Sequence, residues 1–280
     1  KIQEDDKFLV IETSYFRLEY IKEKPFVGTK LVPEANLKVF LKDTDKYWYY
    51  NHVEARNFKT IGYSIDNKES VSPNVKGLYS TDGFVSIDDS NSLILKDDKF
   101  YKPSNHMDIY LFMYKRDFGL CLRDYFNLTG KPNMIPRYMF GIIWNKNENY
   151  TDQNIKDLIN KFNKNDIPIN YILLGNKWHS KTGYDYGLTW NKDLFIDYNK
   201  FIDYLKMKNV YLGLTINPII INNKEENIEE FLKKSSLDNK EQIVFNLYNK
   251  DLVDNYFDVF IEPLVNGGVN GFLIDYNNTD

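Results

Sequence analysis

The chain has a single cysteine, Cys121, so no internal disulfide forms, and that residue leaves the redox compartment open. It has three histidines, His52, His106 and His179, at no metal-like spacing, and with no Cys pair beside them a zinc site is disfavoured. No stretch approaches the roughly 20 apolar residues that span a bilayer, and no apolar leader opens the sequence at Lys1–Ile2–Gln3. Positive charge is not in excess: 36 Lys plus Arg stand against 40 Asp plus Glu, for a net charge of −4. No phosphate-tracking surface is expected, which excludes nucleic acid as a partner. A phosphate-binding glycine loop is missing too. Gly267–Gly268 reads as a helix C-cap, since no G-x-G-x-x-G follows a strand. No cofactor is implied.

What is present is aromatic: 22 Tyr, 19 Phe and 4 Trp in 280 residues, a load that suits large buried sheets or stacking platforms for sugar-like ligands. The length is about twice that of a usual domain, so two domains are expected. Up to about Leu128 the sequence reads as short strands. Phe8–Glu12, Phe16–Tyr20, Leu37–Leu41 and Phe84–Ile87 are separated by turns at Asp66–Asn67–Lys68, Thr81–Asp82–Gly83 and Lys96–Asp97–Asp98. This spacing predicts an all-β antiparallel sandwich over 1–130.

Thr129–Gly130–Lys131–Pro132 and Pro136 mark a boundary, after which strands and helices alternate. Tyr138–Trp144, Ile169–Leu174, Val210–Ile216 and Val269–Asp275 read as buried strands. Helices are expected from Thr151, through Phe201 and Leu205, around Ile228 and Phe231, and over Leu252–Val265. The run Lys224–Glu225–Glu226 through Lys233–Lys234 reads as a solvated helix face. Alternation of this kind specifies a parallel sheet with helical crossovers. Four βα units over 131–280 form either a small open sheet or half of an eight-stranded barrel, which takes about 250 residues. An isolated half barrel would leave unpaired edges, so the chain is expected to be a piece of a longer protein.

Three ordered segments carry a resemblance. They are Met134–Ile135–Pro136–Arg137–Tyr138–Met139–Phe140–Gly141 running into Trp144 and Tyr150, then Ile167–Pro168–Ile169 with Trp178–His179 and Gly187–Leu188–Thr189–Trp190–Asn191, and finally Gly268–Val269–Asn270–Gly271–Phe272–Leu273–Ile274–Asp275. Together they resemble glycoside hydrolase family 31, the retaining α-glucosidase and α-xylosidase family. Gly77–Leu78–Tyr79–Ser80 to Asp88–Asp89–Ser90 is similar to that family's N-terminal, galactose-mutarotase-like β-sandwich. The resemblance implies a (β/α)8 barrel from 131 onward, of which this chain holds the first four units. The implied ligand is an α-linked glucoside or oligosaccharide, and the rest of the barrel comes from a chain segment or partner not included here. Asp275 is implied as the nucleophile at the end of strand four. A retaining enzyme pairs such a carboxylate with an acid about 5–5.5 Å away, and the acid would lie on a later strand.

Trp144, Trp178 and His179 are the candidate substrate contacts, although Trp144 and Trp190 also suit packing at the barrel mouth. Two departures stand out. Family members commonly carry an Asp-x-Asp pair before an aromatic after strand two, and here Gly175 and Lys177 occupy those places ahead of Trp178. After strand one, an Arg and an aromatic are replaced by Lys146 and Glu148. Two readings follow: an α-glycosidase with a degenerate subsite, or a non-catalytic relative that serves as a carbohydrate-binding or structural subunit.

Overall fold

The computed structural model describes residues 1–24, 26, 36–52, 56–62, 72–102, 107–146, 148–179, 187–217, 220–222, 224–238, 240, 242–244, 246 and 248–274. The turn expected at Asp66–Asn67–Lys68, together with His106 and Asp275, lies outside the described residues. The chain divides into two compact units, Lys1–Ser92 with Pro103–Asn133, and Leu93–Lys102 with Met134–Asp280.

In the first unit five strands follow one another as an antiparallel sheet: Ile2–Glu4, Phe8–Glu12, Phe16–Ile21, Leu37–Leu41 and Tyr47–Tyr49. A second antiparallel pair joins Phe84–Asp88 to Ile109–Met113. Period-two alternation turns Val39, Leu41 and Trp48 to one side of the first sheet, where they share an apolar cluster with Phe84 and Met113 of the second. Full burial of each such side chain is worth about 1.5–3 kcal/mol, which makes this layer the principal glue of the unit.

The expectation of an all-β first segment fails at one element, the helix Phe118–Thr129. Asp117 starts it by accepting the Leu120 backbone N–H at 3.0 Å, and Gly130 follows its last turn. Phe118, Cys121 and Tyr125 recur at helical spacing, with Phe118 against Phe58 and Tyr79 and Tyr125 against Phe112. The clustered apolar residues of this segment masked that period.

In the second unit Ile143–Lys146, Tyr171–Leu174, Tyr211–Ile216 and Gly271–Ile274 lie side by side in that order, all parallel. The crossovers carry the helices Asp152–Lys164 and Tyr198–Met207, then Ile228–Ser235 and a long segment from Lys250 to Gly267. Thr151 and Asn154 cap the first reciprocally, as a capping box. The long segment winds wider over Phe257–Ile261, just ahead of Pro263. Proline has no N–H for the carbonyl four residues back, that of Val259, and Asn227 Nδ2 donates to that carbonyl instead, at 3.5 Å. The helix ends at Gly268 in the left-handed region, as its C-cap reading anticipated. Asp97 and Asp98 turn the hairpin Ile94–Lys96 to Lys99–Tyr101 with φ of 52° and 57°, a two-residue turn matched to strand twist.

The strand expected at Tyr138–Trp144 is corrected. Arg137–Phe140 is a single 3₁₀ turn, Phe140 is 76% exposed, and the strand begins only at Ile143. Pro136 sets this turn by accepting the Met139 N–H, and the strand, at the edge of the sheet, is half-buried rather than buried on both faces.

Alternation sorts the sheet's two faces. Ile172, Leu174, Leu212, Leu214 and Ile216 pack with Ile155, Phe201 and Leu205 in the main core. The other face carries Tyr171, whose buried phenol is pushed up to about 12 by loss of solvent. Its hydroxyl occupies the space left by Gly213 and Gly271, where an added Cβ would lie 2.2 and 2.7 Å away. Gly213→Ala is therefore expected to destabilise the protein by about 1–3 kcal/mol through overpacking, read from its urea midpoint. A neutral result would show that the Tyr171 ring can move aside.

Candidate active site

Parallel strands put every carboxyl end on one side of the sheet, where loops gather. The loops begin after Lys146, Leu174, Ile216 and Ile274. Asp275, the residue after the last of these strands, is outside the described residues.

Trp144 does not belong to the loop side. It alternates onto the helix-facing side of its strand, meets Phe162 edge to face at 5.6 Å, and donates Nε1–H to the Tyr150 hydroxyl at 3.2 Å. Its ring therefore sits in the packing role that the sequence also offered for it, and the period of two places Asn145 on the opposite face. At the strand's end Lys146 pairs with Glu148 at 2.5 Å, and this partner raises the exposed ammonium's pKa.

The loop after strand two opens with a tight turn in which the Lys177 and Trp178 N–H groups both point to the Gly175 carbonyl, at 2.7 and 3.3 Å. Trp178 is 2% exposed. Its Nε1–H donates to the Thr215 carbonyl at 2.7 Å, and its ring meets Trp190 edge to face at 5.1 Å. His179, 5% exposed, bridges Trp190 through the backbone, and the Asn191 N–H donates to the Trp178 carbonyl. Trp178 and His179 are thus brought together as buried supports of the loop, with Trp190 beside them and Trp144 elsewhere.

The arrangement adds a residue that sequence reading placed in solvent. Glu225 is 3% exposed. Its carboxylate accepts the Leu188 N–H at 3.0 and 3.1 Å and the Thr189 hydroxyl at 2.5 Å. Burial pushes its pKa up, opposed by these hydrogen bonds, and burial prevails. Gly187 lies beside it, where an added Cβ would sit 2.8 Å from His179 Nδ1 and 3.3 Å from Glu225 Oε1. Helical phase offers no signal for it: Glu225 lies in the turn before the helix Ile228–Ser235, and its contacts with Leu188 and Thr189, distant in sequence, carry it inward.

A parallel βα sheet with its loops gathered at the strands' carboxyl ends is the architecture of barrel proteins that build sites there. The chain belongs to glycoside hydrolase family 31: the sequence profile described as "Glycosyl hydrolases family 31 TIM-barrel domain" matches residues 132–280. An isomaltosyltransferase of Sporosarcina globispora is 34% identical over 65 residues, 23% of this chain and 6% of that protein. Among solved structures, the cycloalternan-forming enzyme of Listeria monocytogenes, in complex with a pentasaccharide substrate, superposes with a TM-score of 0.64 at 14% identity, over 98% of this chain and 34% of that one. The family 31 dextranase of Flavobacterium johnsoniae, complexed with isomaltotriose as a D412A mutant, gives 0.62 at 16% identity, over 97% and 39%. The chain therefore spans about a third of the first of these structures. Among the described residues no helix is long and apolar enough to cross a membrane.

Proposed function

We propose that this chain supplies the N-terminal β-sandwich (1–130) and the first half of the catalytic barrel (131–280) of a retaining α-glycosidase-type protein acting on α-linked glucosides or oligosaccharides. The observation that carries the reading is the family match across a four-stranded parallel sheet whose last strand ends immediately before Asp275. In this reading Asp275 attacks the anomeric carbon as the leaving oxygen takes a proton from an acid on the remaining half of the barrel, and water then releases the glycosyl ester. Trp178 and His179 hold the strand-two loop from beneath.

Activity on simple α-glucosides is weak or absent, because Gly175 and Lys177 stand where carboxylates would grip sugar hydroxyls. A lysine ammonium only donates hydrogen bonds, and orientation contributes a large share of catalysis. The same two residues favour a second reading, a non-catalytic relative that binds or scaffolds carbohydrate. The test is hydrolysis of an aryl α-glucoside by the full-length protein and by Asp275→Asn. Turnover lost in the variant supports the nucleophile, and equal background rates support the non-catalytic relative.

A further inference from the structure

We infer that Glu225 is a positioning residue, a buried latch that fixes Leu188–Asn191 and, through them, Trp178 and His179 in the arrangement the sugar subsite after strand two requires. The contacts interlock. The Thr189 hydroxyl donates to Glu225 and accepts the Glu226 N–H at 3.0 Å, so the loop after strand three grips Thr189 from two successive residues. The Leu188 N–H adds a third link to the same carboxylate. From Thr189 the constraint passes directly along the backbone to Trp190 and Asn191, which pair with His179 and Trp178. Those two residues lie within four positions of Gly175, at the start of the loop. Gly187 allows the His179 ring and the carboxylate to close around it without a side chain between them.

A buried carboxylate is a poor choice for stability alone, since desolvation opposes it. Its geometry suits a different task, orienting the Leu188 and Thr189 donors of a neighbouring loop. The latch itself is a property of the fold, whereas its consequence for sugar binding rests on the proposed function.

The experiment uses the full-length protein with Glu225→Ala, Glu225→Gln and Thr189→Val, followed by hydrogen–deuterium exchange over 187–191 and, as an internal control, over 210–216. Loss of the latch in Glu225→Ala is expected to speed exchange in 187–191 by at least about tenfold while 210–216 is unchanged. Glu225→Gln keeps an acceptor for Leu188, and its amide can donate to the Thr189 oxygen, so it should stay within about threefold of wild type. Thr189→Val removes two of the three links, the hydroxyl's donation to Glu225 and its acceptance of the Glu226 N–H, and leaves the Leu188 link, so it should speed exchange about as much as Glu225→Ala, and it decides the question if the alanine variant does not fold. In parallel, affinity for an α-linked oligosaccharide is expected to drop about tenfold or more in the alanine variant and to be restored in the glutamine one. Unchanged exchange over 187–191 in Glu225→Ala, or in Thr189→Val if the former is unfolded, overturns the latch. Oligosaccharide binding undetectable even in wild type refutes the proposed function and leaves the exchange result to decide the latch by itself.

Discussion

Trp178→Ala is expected to lower stability by about 3–5 kcal/mol, the range for removing a large buried aromatic and leaving a cavity. Trp178 is among the largest fully enclosed side chains, packed edge-on to Trp190, and its Nε1–H satisfies the carbonyl of Thr215 at the end of the third strand. Truncation would leave that carbonyl buried without its donor, a further penalty of about 1–3 kcal/mol that overlaps with the cavity cost and does not simply add to it. Trp178→Phe keeps most of the ring and loses the donor, so about 1–2 kcal/mol is expected. Urea titration followed by circular dichroism separates the two. A loss below about 1 kcal/mol for the alanine variant would mean that the loop repacks around the gap.

Much of this fold was legible because hydrophobic period is strong where burial is one-sided. Phe8–Glu12 and Leu37–Leu41 were readable to the residue, the second because Val39 and Leu41 alternate inward while their neighbours stay half-exposed. The strands Tyr171–Leu174 and Tyr211–Ile216 were readable as mostly apolar runs because both their faces are covered. The rule misled where apolar residues serve something other than a sheet. Tyr138 looks like the start of a strand, yet its ring stacks on Tyr211 at 3.8 Å from within a 3₁₀ turn. Phe118–Thr129 looked like more of the preceding β region because its apolar residues are dense, and the Asp117 cap is a one-residue signal easily lost beside them.

The site was less legible than the fold, for a physical reason. Motif reading finds residues by their kind, whereas the direction a side chain points depends on strand phase. Trp144 has the right chemistry for a sugar platform, and one residue of phase sends it to the helices instead. Glu225 sat in a charged run that reads as a solvated helix face, yet it lies in the turn ahead of the helix Ile228–Ser235, where contacts with Leu188 and Thr189, distant in sequence, bring it inside. A local charge pattern carries no sign of such a contact.

The largest change in activity is expected from restoring the missing carboxylates. Gly175→Asp combined with Lys177→Asp should raise kcat/KM of the full-length protein on an aryl α-glucoside by about 10²-fold, equivalent to about 2.7 kcal/mol of transition-state binding at 1.36 kcal/mol per decade. The argument is one of donors and acceptors. Sugar hydroxyls held in the reacting subsite need acceptors that strengthen as charge develops at the anomeric carbon, and neither a hydrogen nor an ammonium provides one. The gain comes with a loss elsewhere. Position 175 is buried, so its new carboxylate is expected to lower stability by about 1–3 kcal/mol in the absence of sugar. That penalty is what distinguishes a repaired subsite from a generally improved protein: rate rises while the urea midpoint falls. Adding Asp275→Asn to the repaired protein should abolish the gain, since an oriented sugar without a nucleophile cannot form the glycosyl ester. A repaired protein no faster than wild type would show that Gly175 and Lys177 do not stand in the subsite, and would favour the non-catalytic relative.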